Sequence, residues 1–262
     1  MSTNSLGFGA YYPVNSPIHQ LDPRLKITAT ILLMTIIFTT THIWMYLLIG
    51  ASIGIVLYLG KITLICIKRL RFIWLLLMVM TGISMLVIPG RPLFPDVTTI
   101  PISYEGTIHG IKMTVRLVLV LTISSVLTLT TTPFLLTIAI ESMLMPFKKI
   151  GIPISEIAMI IQLTLRFIPT FMQEREKIMK AQSARGHSIQ SKKVTKQAKS
   201  MMVLVVPLLI AAFKRVDELA NAMDARGYVV GKTRTSLKTM KLAQRDYLFA
   251  FCIGILLIIA IW

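Results

Sequence analysis

Two arginines stand out as groups able to do chemistry, because each sits in the same short context. Ala181-Gln182-Ser183-Ala184-Arg185-Gly186 returns as Ala222-Met223-Asp224-Ala225-Arg226-Gly227. The likeness extends upstream, where Ile178 and Ala181 match Leu219 and Ala222. A guanidinium is planar, permanently charged and bidentate, so it suits a carboxylate or a row of carbonyl oxygens in a groove. Ala184 and Ala225 are small enough for a partner backbone to come close. Gly186 and Gly227 fit the position just past a helix end, where a left-handed residue closes the helix. A cation in that last turn is favoured by the helix dipole. Either motif alone is also simply a good helix ending. The matching pair points to docking on two similar surfaces. That chemistry is recognition, not bond breaking.

Other patterns argue against catalysis. The chain has no GxxxxGK[ST] stretch, so it is not expected to hydrolyse ATP. No nucleophile–base arrangement stands out, and no catalytic or substrate residue is assigned. His19, His42, His109 and His187 share no ligand spacing, so no metal site is expected. Cys66 and Cys252 lie in or beside apolar segments without a CxxC motif, which indicates neither a disulfide framework nor a metal cluster.

The elements that must carry the two arginines belong to a membrane-like chain. Hydrophobic residues make up 55% of it and the net charge is +17; mean hydropathy is +0.74. The charge is local, since 19 of the 28 lysines and arginines fall between Lys148 and Arg245. Nucleic acid is set aside as a partner. The basic stretches carry long apolar faces between spans, and an anionic inner leaflet with positive-inside bias accounts for them. Met1 to Gln20 is polar and Gly/Pro-punctuated, so no signal peptide is expected there.

A span needs about 20 apolar residues. Five segments come near: Ile27–Thr41, Ile43–Gly60, Phe72–Ile88, Met113–Thr132 with Arg116 snorkelling near its outer end, and Tyr247–Trp262. Arg24 and Lys26, then Lys61, Lys68, Arg69 and Arg71, then Lys148 and Lys149 mark the cytoplasmic connections. The Thr39–His42 turn and the Pro89–Gly110 loop are poor in cations and belong outside. Three further apolar stretches, Phe134–Phe147, Ile154–Met172 and Met201–Phe213, read as helices packed on each other or lying at the inner interface. A seven- or eight-span arrangement is the alternative. The fold class is therefore all-α membrane protein, with about five transmembrane helices and a helical cytoplasmic coupling domain inserted before the last span. Its parts are 1–132 with the first four spans, 133–245 with both Ala-Arg-Gly ends, and 246–262 with the last span.

Within 133–245, Pro153 is expected at the first helical position, with Ser155 and Glu156 in the first turn. This helix ends at Gly186. A second path from about Ser191 ends at Gly227, kinked or divided at Pro207. Asp22-Pro23 reads as a helix start. Glu141 reads as interfacial, Arg166 as paired or snorkelling, and His187 as a further contact beside the first tip or a solvated side chain.

Four features converge on one family. They are Tyr12-Pro13-Val14-Asn15-Ser16-Pro17-Ile18-His19-Gln20-Leu21-Asp22-Pro23-Arg24-Leu25-Lys26; Tyr104-Glu105-Gly106 followed by Gly110 and Arg116; the paired Ala-Arg-Gly; and Arg245-Asp246-Tyr247. In these the chain resembles the T component of energy-coupling factor transporters, a division of the ABC importers. The resemblance covers nearly the whole chain. It implies a non-catalytic scaffold in a bacterial cell membrane, between two cytoplasmic ABC ATPases and a substrate-binding S component that takes up vitamins or other micronutrients. ATP and magnesium would be bound by the ATPases, with no cofactor in this chain. Arg185 and Arg226 would be the principal docking residues, with Ala184, Gly186, Ala225 and Gly227 allowing close contact. The opening segment and length are similar to the type shared among exchangeable S components. Met143, Met145, Met159, Met172, Met179, Met201 and Met202 would suit an exchanged partner or ordinary core filling. The alternatives are a T component dedicated to one substrate, such as a transition metal ion or biotin, and an autonomous secondary transporter. A membrane-embedded lipid enzyme lacks a clustered acid–base or metal set.

Overall fold

The computed structural model describes residues 11–14, 16–40, 42–91, 103–186, 194–229, 231 and 243–261. Asn15, Thr41, His187, Ser191 and Trp262, singled out above, lie outside the described residues, as does 92–102 of the expected outer loop. The described elements are helical: α1 (Pro23–Thr39), α2 (Ile43–Gly60), α3 (Thr63–Val87), α4 (Tyr104–Thr130), α5 (Pro133–Leu144), a 3-10 turn (Met145–Ile150), α6 (Ile154–Ala184), α7 (Val194–Ala225) and α8 (Gln244–Ile261). They form two compact units, Met1–Ala139 with Lys238–Trp262, and Ile140–Leu237.

In the first unit α1 starts as its sequence dictates. Asp22 is the N-cap, its side chain accepts the Arg24 N–H at 2.9 Å, and Pro23 occupies the first turn. The core joins α1, α2 and α4 through Ile36, Ile37, Tyr46, Ile49, Ile53, Leu119 and Ile123. Threonines inside these apolar helices return their hydroxyls to the preceding turn. Thr30 donates to Lys26 O, Thr35 to Ile31 O and Thr122 to Val118 O. A polar side chain so satisfied can be carried in an apolar surrounding.

One buried polar cluster sits where α1 begins, α4 ends and α8 begins. Asp246 is 2% exposed. Its carboxylate accepts the Asp22 N–H at 2.9 Å and the Ala243 N–H at 2.7 Å. Lys26, also buried, donates to His19 O, Thr130 O and Thr131 Oγ1. The sequence shows Asp22 only as a local cap. Its tie to a residue more than 200 positions away has no local signal.

Arg116, expected to snorkel near the outer end of its span, has protein partners there. Its Nη2 donates to Thr40 O at 3.2 Å and to Tyr46 Oη at 2.9 Å, and its guanidinium lies 5.7 Å from the Phe38 ring centroid. Tyr46 Oη also donates to Thr40 O, at 2.7 Å. The α1–α2 turn is thereby fastened to α4.

Two helices begin earlier than their apolar segments. α3 starts at Thr63 rather than Phe72, and α4 at Tyr104 rather than Met113. Hydropathy marks only the part of a helix that suits lipid, and the backbone continues into polar flanks. Ser103 caps α4 by accepting the Gly106 N–H at 3.0 Å while its own hydroxyl donates to Ile88 O. Gly106 and Gly110 then face α3 closely. A methyl on Gly106 would lie 2.6 Å from Ser84 O, and one on Gly110 3.1 Å from Thr81 Cγ2. This is the small-xxx-small packing typical of membrane helices.

Among the described residues, three helices are long and apolar enough to cross a membrane, α2, α4 and α6; α3 holds a shorter apolar stretch, Ile73–Val87. α2 exposes Trp44 and Tyr58 near its opposite ends, as an aromatic belt at each interface would require. α1, with 17 residues, is about 26 Å long against a hydrocarbon core of about 30 Å. α6, read from sequence as interfacial, meets the length and composition of a span.

Two outcomes are expected. Gly106→Ala should push α3 from α4 and cost about 1–3 kcal/mol, seen as a lower midpoint in detergent thermal melts. Gly54→Ala, where an added methyl meets nothing within 4 Å, should be neutral or slightly stabilising. Equal midpoints for the two variants would refute the close-approach reading. The second outcome concerns His19, whose Nε2 donates to Tyr12 O at 3.0 Å while Nδ1 takes the Ser16 hydroxyl at 2.7 Å. Burial foremost, with the Lys26 cation adding to it, holds its pKa below 6.5, although the Tyr12 carbonyl pulls upward. The unfolded chain therefore binds this proton more readily. Stability from His19 is complete above the unfolded pKa and falls as pH drops through it towards the lower folded value. His19→Gln should flatten the fall in melting midpoint between about pH 7.5 and about pH 5.5; an unchanged slope would contradict this.

Candidate functional site

Both arginine tips lie in the second unit, at the ends of its two long helices. α6 begins one residue later than expected: Pro153 is the N-cap, and Ile154 is the first helical residue. Its left-handed predecessor Gly151, at φ 89°, ends the 3-10 turn. Glu156 stands in the first turn of α6. Glu141 of α5 accepts from Gln162 Nε2 at 3.3 Å, so this acid ties α5 to α6. Arg166 is exposed and makes no ion pair among the described residues. α7 runs unbroken through Pro207, and α6 through Pro169. The expected division at Pro207 does not occur.

The two helices meet at a small cleft of about 210 Å³, lined by Thr170, Phe171 and Glu174 of α6 and Ala211, Lys214, Arg215 and Glu218 of α7. Phe167 packs on Phe171 with centroids 6.3 Å apart. Acid and base are mixed across this cleft, and each helix also carries an exposed i,i+3 pair, Glu174–Lys177 at 3.6 Å and Arg215–Glu218 at 3.7 Å. Such exposed pairs contribute well under about 1 kcal/mol each, so apolar side chains at the cleft, Phe171 and Ala211 among them, matter more for holding the crossing. The sequence reading assigned these residues no role. Their signal is the change, in both helices, from an apolar stretch to a charged one.

Beyond the crossing the helices end alike. Arg185 is the C-cap of α6, its N–H bonded to Ala181 O and Gln182 O at 3.2 Å each. Gly186 donates to Ser183 O at 3.0 Å, with φ 84°. On α7, Gly227 donates to Asp224 O at 2.9 Å and Tyr228 to Met223 O at 3.1 Å, with Gly227 at φ 70°. The second set is a complete Schellman closure, and the first shows its inner bond. Each glycine stands one past an arginine cap, as the spacing predicts.

Ala184, Arg185, Gly186, Ala225, Arg226 and Gly227 are all exposed. Neither arginine forms an ion pair among the described residues. The cleft ends at Glu174 on α6 and at Glu218 on α7, eleven and eight residues before Arg185 and Arg226, so both tips stand about 12–16 Å beyond it along their helices. The arrangement presents two equal cationic ends with room for a close-fitting acidic or carbonyl-lined groove. Among the described residues no group of three or more histidine, cysteine or acidic side chains is placed to hold a metal ion.

Comparison with known proteins places the sequence in a family. The family described as Cobalt transport protein, CbiQ, matches residues 14–237. The energy-coupling factor transporter transmembrane protein EcfT of Acidaminococcus fermentans is 41% identical over 244 residues, covering 92% of this chain and 90% of that protein. The protein of the same name from Thermosediminibacter oceani is 40% identical over 249 residues, covering 95% and 94%. That from Bacillus subtilis is 37% identical over 245 residues, covering 93% and 92%.

The caps themselves can be tested. An alanine at Gly186 or Gly227 would touch nothing within 4 Å, so its only penalty is the left-handed backbone, about 1 kcal/mol. Gly227→Ala should raise hydrogen exchange at the amides of Gly227 and Tyr228 about fivefold without moving the global melting midpoint. Unchanged protection would show that the closure does not hold the tip.

Proposed function

We propose that this chain, which belongs to the CbiQ family and to the energy-coupling factor transmembrane proteins within it, couples two cytoplasmic ABC ATPases to a membrane-embedded S component. The observation that carries the proposal is the duplicated tip: two exposed arginines at helix ends, each closed by a left-handed glycine. Each arginine enters a groove on one ATPase subunit, and Ala184, Gly186, Ala225 and Gly227 let the groove walls approach. ATP and magnesium belong to the ATPases. Closure of the ATPase pair draws the tips together, moves α6 and α7 at their crossing, and tilts the S component that carries the micronutrient.

In this reading α1, α2, α3, α4 and α8 cross the bacterial cell membrane. The residues from 133 to 245 form the coupling domain on the cytoplasmic side, with the N-terminus on that side too. The cations at Arg24, Lys26, Lys61 and Lys68 support this orientation. So does the cation-poor α1–α2 turn at the other end, where Arg116 is taken up by Thr40 and Tyr46. α6 then lies along the inner face despite its length, because Lys148 and Lys149 precede it and Arg175, Lys177 and Lys180 follow its apolar part. The S component is exchangeable and rests on the apolar faces of α6 and α7. A module dedicated to a transition metal ion draws on the family description, Cobalt transport protein. The identity of the S components that co-purify separates the two.

The R185E/R226E double variant should lose ATPase co-purification and uptake, and each single variant should weaken binding by about thirtyfold, as for a central arginine worth about 2 kcal/mol. Intact assembly and uptake in the double variant would overturn the docking assignment. Cysteine-accessibility labelling at position 226 should place the tips inside; labelling from the exterior of intact cells would overturn the orientation.

A further inference from the structure

A second feature lies in the first unit, away from the tips. A groove of about 840 Å³ runs along α8 from Arg245 to Ile259, walled by α1, α2 and α4. Its sides are apolar, with Leu33, Val56, Ile123 and Ile253 among them. Thr30 and Ser52 lie along its length with their hydroxyls returned to their own helices, and the remaining polar groups gather at one end, at Lys26, Thr130, Gln244 and Arg245. Two of these lack a full set of partners. Thr130 is 2% exposed, and its Oγ1 is buried with no hydrogen-bond partner among the described residues. Arg245 is exposed and donates to the neutral Gln20 Oε1 at 2.7 Å, with no ion pair among the described residues. The nearby acids are engaged: Asp246 by the Asp22 and Ala243 N–H groups, and Asp22 by the Arg24 N–H.

Length and charge select the occupant. Arg245 to Ile259 is about 21 Å at 1.5 Å per residue, and one leaflet of a core about 30 Å thick is about 15 Å deep. An apolar groove of this length beside the bilayer takes a hydrocarbon chain, and a guanidinium at its mouth takes a phosphate diester bidentately. We infer that the groove holds an acyl chain of an anionic phospholipid whose phosphate is bound at Arg245, with the Thr130 hydroxyl facing the polar end of the chain. The inference rests on the orientation proposed above, because that end then faces the leaflet rich in anionic lipid.

The test uses the full transporter complex in nanodiscs of mixed phosphatidylglycerol and phosphatidylcholine, released into mild detergent and weighed by native mass spectrometry. The expected result is retention of phosphatidylglycerol over phosphatidylcholine. R245Q should cut that preference about tenfold and R245K should keep most of it. Val56→Trp, which fills the slot, should release both lipids. Equal retention of both lipids by the wild type would overturn the inference, as would an R245Q variant with undiminished preference. Lipid retention that survives Val56→Trp would do so too, and so would a groove that retains a partner polypeptide and no lipid. The R185E/R226E variant should keep its lipid, so a failure of docking and a failure of lipid binding are read separately.

Discussion

The crossing of α6 and α7 fixes what the two arginine tips can do. Thr170, Phe171 and Glu174 of α6 line one cleft with Ala211, Lys214, Arg215 and Glu218 of α7 there. Without this crossing each helix would be an amphipathic rod with a charged end, and the two ends would have no defined spacing. With it, the charged stretches of both helices run from one shared cleft to the two tips. The left-handed glycines finish the geometry by stopping each helix immediately after its arginine. A helix running one turn further would bury the cation among its own side chains. Function here is a matter of position, because the chemistry of a guanidinium is the same wherever it stands.

The first unit is organised by a different constraint, the satisfaction of charge where little water is available. Asp246 caps the residues ahead of α8 and also holds the N–H of Asp22, so a single carboxylate joins the starts of two helices distant in sequence. Lys26 is spent on two carbonyls and a hydroxyl rather than on a carboxylate. Arg116 serves the opposite end by the same means. An isolated buried charge is costly, while one with several hydrogen bonds is tolerated and fixes the register of the elements it touches. These clusters are thus the fasteners of a unit whose remaining contacts are non-directional.

Much of this was legible in the sequence. The Asp22-Pro23 start, the helix ends at Gly186 and Gly227 and the apolar cores of α2 and α4 follow from local rules of capping and hydropathy. Helix starts at Thr63 and Tyr104 were not, because a helix extends past the lipid-compatible stretch that reveals it. The bond of Asp246 to Asp22 and the seat of Arg116 depend on which helices become neighbours, and no periodicity encodes that. The same holds for the crossing of α6 with α7. Gly106 and Gly110 form the intermediate case: the small-residue spacing is visible, but only the position of α3 shows what the spacing is for. Of the kink or division expected at Pro207, the division does not occur and the helix continues.

That continuity has a mechanical consequence. A proline removes one rung from the helical ladder and makes the rod most compliant at that point. Pro169 immediately precedes the crossing residue Thr170, and Pro207 lies one turn before Ala211. Both rods are therefore softest next to their common fulcrum and stiff along the outer arms. No further proline interrupts either helix between the cleft and its arginine, so a thrust at either tip would be taken up as bending beside the fulcrum, and the pair would act as two levers with built-in flexures rather than as two springs.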